Sequence, residues 1–96
     1  MKKHGSTSLG NAIAYLVNDL GIKLKLDQTK ILDDWSIIVG EQIANVTVAE
    51  RLESGKLFVH VTRSTWRNEL IFLKAELIAK INAYVNQEIV KDIIFR

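Results

Sequence analysis

The residues best suited to chemistry lie between Lys56 and Lys74, where Phe58, His60, Arg63, Trp66 and Arg67 intervene. Cations interleaved with aromatic rings suit one kind of work: they attract an anion and offer a ring on which a base can stack. Arg63 stands where a strand ends. Ser64 or Thr65 then opens a helix whose unpaired N–H groups add partial positive charge. Such a junction suits a phosphate or a partner's carboxylate. The plainer alternative makes Arg63, Arg67 and Lys74 a solvated face and Trp66 the head of a core stripe.

Other chemistry has little to stand on. The chain has no cysteine, which excludes disulfides and thiolate metal sites, and His4 and His60 are too few and too far apart for zinc. There is no glycine-rich phosphate loop, no histidine pair on a helix and no nucleophile elbow. Asp33 and Asp34 are adjacent on a helix, so they point about 100° apart and do not share a site. His60 alternates with Phe58 on a strand and reads as a residue of an exposed sheet face. No catalytic residue, metal or cofactor is expected.

The elements that must position these residues follow from periodicity. Leu9, Ile13, Leu16 and Leu20 recur at helical spacing, with Gly21 as the expected end and residues 22–29 as a connector. A second helix carries Ile31, Trp35, Ile38 and Val39, and Gly40 ends or bends it. Two strand-like runs follow, "VTVAERLE" and "KLFVHVT", joined by Ser54-Gly55 as a hairpin. Thr47 to Glu50 spells a capping box, but the alternating residues around it favour a strand. A long third helix carries Trp66, Leu70, Leu73, Leu77, Ile81 and Tyr84 inward, and "VKDIIF" forms a last strand.

The order helix, helix, strand, strand, helix, strand predicts a two-layer α+β domain. Its three-stranded mixed sheet carries helices on one face, and the last two strands, if neighbours, run parallel through a right-handed crossover. Leu57, Val59 and Val61 face the core. Phe58, His60 and Thr62 face away, with Arg51 beside them and one apolar pair from the last strand. A second apolar surface is expected along Ile71, Ile78 and Val85. Trp35, Gly40, Trp66 and Leu70 are the structural anchors.

Ninety-six residues, 48% apolar and 25% charged, make one soluble globular domain at residues 8–96, preceded by a flexible tail at 1–7. The start "MKKHGSTSLGNAIAYLV" has the basic residues and apolar stretch of a signal peptide. However, Asn11, Asn18 and Asp19 break it at helical spacing, so it reads as an amphipathic helix. No apolar run reaches membrane-spanning length, and a cytoplasmic protein is expected. Net charge +2 permits nucleic-acid binding without requiring it, since thirteen cations meet eleven anions.

Four blocks of the sequence resemble one family: "WSIIVGEQIA" from Trp35, "VAERLESGKLFVHVT" from Val48, "STWRNEL" from Ser64 and "IIFR" at the end. Together they are similar to the DciA family over nearly the whole chain. The resemblance implies a domain like the second K-homology (KH) topology, and a protein that assists the bacterial replicative helicase DnaB and binds nucleic acid, including single strands. The Gly-x-x-Gly loop of true KH domains is absent, so that clamp does not carry over. Many family members are longer, with a mobile segment that contributes to helicase contact. On this basis Lys56, Phe58, His60, Arg63, Arg67 and Lys74 are the candidate nucleic-acid-binding residues. The partners are the helicase and single-stranded DNA or RNA. The competing expectations are a protein–protein adaptor or homodimer without nucleic-acid binding, and an RNA-binding KH-like module.

Overall fold

The computed structural model describes the backbone of residues 9–96 and, in side-chain detail, residues 21–96. The expected tail at 1–7 and the stripe of Leu9, Ile13, Leu16 and Leu20 side chains lie outside the described residues. Helix α1 spans Leu9–Asp33, α2 Trp35–Val39 and α3 Glu41–Ala44. Strand β1 spans Thr47–Glu53 and β2 Lys56–Val61, followed by a 3₁₀ turn at Ser64–Trp66. Helices α4 (Arg67–Phe72) and α5 (Lys74–Val85) then lead to β3, Asp92–Phe95. Grouping the short helices gives the expected element order.

Two boundaries differ from the sequence reading. Gly21 does not end the first helix, and residues 22–29 are helical rather than a connector. Glycine costs a helix only about 1 kcal/mol relative to alanine. Good helix formers flank it, and the Lys23–Asp27 pair at 3.0 Å braces the next turn. The first helix yields to the second at Asp34 instead, and Gly40 ends α2. The long third helix is also divided: Leu73, at φ −88° and ψ 0°, interrupts it between α4 and α5.

The sheet order is β1-β2-β3, with β1 antiparallel and β3 parallel to the central β2. Ser54 and Gly55 both take positive φ at the hairpin, 50° and 79°, the hand that suits a tight connection between twisted strands. Leu57, Val59 and Val61 of β2 are buried together with Ile31, Trp35, Ile38, Leu70, Leu77 and Ile81. Each such side chain contributes about 1.5–3 kcal/mol on burial. Val85 belongs to this core as well and Ile78 packs partly against it, so of the expected flank only Ile71 is exposed.

Asn82 positions the last strand. Its Nδ2 donates to the Val90 carbonyl and its Oδ1 accepts from the Val90 N–H, both at 3.0 Å. The carboxamide thus replaces a strand partner where the chain leaves α5. Val90 is buried before β3 begins, so Ile94 alone, rather than an apolar pair, brings an apolar side chain of this segment to the open face.

Candidate nucleic-acid interface

The face of the sheet away from the helices is built in rows across the three strands. Val48 lies opposite His60, and Arg51 lies opposite Phe58, which is flanked on its other side by Ile94. Arg96 bonds the backbone of both Val59 and Val61, which sets it level with His60. Glu53, Lys56 and Asp92 form the row at the hairpin end.

Arg51 reaches this face because β1 is irregular. The register passes from Ala49↔Val59 to Arg51↔Phe58, leaving Glu50 as an extra residue. Strict alternation from buried Thr47 would have turned Arg51 into the core and Leu52 out of it. The bulge resets the alternation, so Arg51 joins Phe58 and Leu52 packs inward. The Arg51 guanidinium lies over the Phe58 ring, 4.0 Å from its centroid, and Arg96 approaches to 5.6 Å. Glu53 holds Nε of Arg51 at 3.2 Å.

The six candidate residues divide between the two ends of β2. Phe58 and His60 are neighbours on the open face, as alternation predicts. Arg63 is exposed just beyond the end of β2, and Arg67 donates from Nη1 to the Phe95 carbonyl at 3.4 Å. Lys56 stands at the other end of β2, about 17 Å from that terminus at strand rise. Lys74 is at that end too, on Asp92 at 3.2 Å. The hydrogen bond from Lys74 holds the Asp92 carboxyl below its ordinary value, helped by the Ile93 N–H and opposed by partial burial. Lys74 is therefore largely neutralised. The helix start beside Arg63 is a 3₁₀ turn leading into a six-residue helix, not the long helix the sequence suggested.

The anchors sit as follows. Trp35 and Leu70 are buried, Trp66 is half-buried against the core, and Gly40 takes φ 91°. Sequence reasoning missed Arg96 as a neighbour of Phe58, since only the parallel pairing of β3 brings it there. It also missed Asn82, whose single signal was a polar residue between core positions Ile81 and Val85. Asp34, expected on a solvated face, accepts the Tyr84 hydroxyl at 2.7 Å.

Hairpin, parallel third strand and one-sided helices define a small α+β domain of the KH-like type, with an open face carrying an aromatic ring between two cations. A family model described as "Dna[CI] antecedent, DciA" matches residues 8–95. The chain belongs to the DciA family. It is similar to UPF0232 proteins of Mycobacterium tuberculosis, 32% identical over 88% of this chain and 46% of the relative, and of Mycolicibacterium paratuberculosis, 31% identical over 88% and 47%. A UPF0232 protein of Mycolicibacterium smegmatis is 28% identical over 85% of this chain and 42% of its own. The chain spans about half the length of the curated relatives it matches. Among the described residues, no helix is long and apolar enough to cross a membrane.

Proposed function

We propose that this domain is a non-enzymatic accessory of bacterial DNA replication that binds single-stranded nucleic acid on its open sheet face and assists the replicative helicase DnaB. Family membership supports the replication role. The observation that carries the nucleic-acid part is the Phe58 face, where a ring, an exposed His60 and two guanidinium groups share one side of the sheet. Arg63, exposed beyond the end of β2, and Arg67, bonded to the Phe95 carbonyl, add positive charge near one end of that strand. Lys56 lies at the hairpin end of the same face beside Asp92, and Lys74 is paired with Asp92, so both contribute less.

The test is fluorescence anisotropy with a labelled single-stranded oligonucleotide over a salt series. Three phosphate contacts predict a log–log slope of roughly −2, since each single-strand contact contributes about −0.7. A flat response, or no binding at low salt, removes the electrostatic mechanism. A matched RNA oligonucleotide separates a DNA protein from an RNA-binding module, because preference depends on contacts to the 2′-hydroxyl.

A second reading rests on a different observation. Phe72 is 87% exposed and Ile71 51%, side by side where α4 gives way to α5. An apolar pair of this size suits a protein partner. Phe72→Ser should leave folding intact and abolish capture of the helicase, or dissociate a homodimer in sedimentation. If both are unchanged, the pair is not a contact surface.

A further inference from the structure

Phe58 does not offer a bare ring. Arg51 reaches it from β1 and Arg96 from just past the end of β3, the two strands that flank it, so two positive groups converge on one residue. Each guanidinium is attracted to the negative face of the ring. Both guanidinium groups are positive and gather on one side chain, so an anion that reaches both from solvent neutralises them together.

The charges are unequally compensated. Glu53 takes the Nε edge of Arg51 and leaves its Nη groups without a hydrogen-bond partner among the described residues. Arg96 has no carboxylate partner among those residues. His60 stands level with Arg96 and is exposed. By contrast, Arg67 is occupied by the Phe95 carbonyl and Lys74 by Asp92.

We propose that Arg51 and Arg96 form a phosphodiester clamp over Phe58, the principal backbone-recognition site of the open face. This rests on the single-strand reading above and narrows it to two residues. A guanidinium presents parallel N–H donors that match two phosphate oxygens, which an ammonium cannot do. Phe58 fixes the approach of both side chains, and Glu53 aligns Arg51 from its far edge. The clamp reads the backbone and not the base, so it binds single strands of any sequence. The Glu50 bulge is what places one jaw on this face.

The experiment compares the wild-type chain with R51A, R51K, R96A, R96K and R63A, using labelled oligothymidylate at several salt concentrations. Melting temperature is recorded for each variant. R51A and R96A should each weaken binding by about five- to twentyfold and make the salt slope shallower by about 0.7. R51K and R96K should keep the wild-type slope yet lose most of the affinity, a split that simple loss of charge does not produce. R63A removes a charge at the end of the face, outside the clamp, and should weaken binding less than either R51A or R96A. Wild-type binding with R51A and R96A indistinguishable from wild type overturns the clamp and leaves the single-strand reading standing. The same follows if R63A weakens binding as much as they do, or if the lysine variants bind normally. Absence of wild-type binding at low salt overturns the reading and the clamp together.

Discussion

The indole N–H of Trp35 donates to Oγ1 of Thr47 at 2.9 Å, and the Thr47 hydroxyl donates onward to the Ile43 carbonyl at 2.7 Å. Both side chains are buried. This two-step chain ties α2 and α3 to the first residue of β1, and so fixes how the helical layer meets the sheet. Thr47→Val keeps the shape and strands a buried donor, which should cost about 1–3 kcal/mol in urea unfolding. Combining it with Trp35→Phe should cost less than the sum of the two single changes, because the second removes the orphaned group.

Gly21 and Gly40 should respond to alanine with opposite signs. At Gly40 the backbone has φ 91° and ψ 157°, a region nearly closed to other residues, so Gly40→Ala should destabilise by about 1–3 kcal/mol. Gly21 lies within α1 with nothing close to an added methyl, so Gly21→Ala should stabilise by about 0.5–1 kcal/mol. A loss of stability at Gly21 would show that the helix turns there after all. Thermal melting of both variants is the check.

Lys74 and Asp92 give the domain one source of acid sensitivity. The carboxyl is held below its unfolded value of 3.8 in the folded protein. Its contribution is therefore present above that value and lost as pH falls through the lower, folded one. Both side chains are a third or more exposed, so solvent screening keeps the effect below about 1 kcal/mol. Lys74→Met should lower stability at pH 7 and converge with wild type near pH 2, as read from unfolding curves at the two pH values.

Tyr84 works in the opposite pH range. Its hydroxyl is bonded to the Asp34 carboxylate, and that bond, with some burial and the nearby negative charge, raises the phenol above its ordinary 10.0. Its stabilising effect is complete below the unfolded value and lost as pH rises through the folded one. Ultraviolet titration near 295 nm should show a tyrosine ionising late. Asp34→Asn should bring it back toward the ordinary value.

Legibility of the fold tracked how local each feature was. The hairpin at Ser54-Gly55 and the buried side of β2 depend on neighbours in sequence, and both stand as read. Trp35 and Leu70 are buried in the core. Gly21 misled because one glycine signals a helix end, whereas the residues on either side favour continuation. The α4–α5 break at Leu73 had no signal, since the apolar spacing runs through it unaltered.

The candidate site divides along the same line. Alternation alone was enough to set Phe58 and His60 on the face opposite Leu57, Val59 and Val61, because a strand has only two sides. Tertiary structure decided which cations join them. A one-residue irregularity at Glu50 turns Arg51 outward, and parallel pairing brings Arg96 from the far end of the chain. Lys74 is drawn away to Asp92. These choices depend on strand register between distant segments, which residue types along a single segment do not encode.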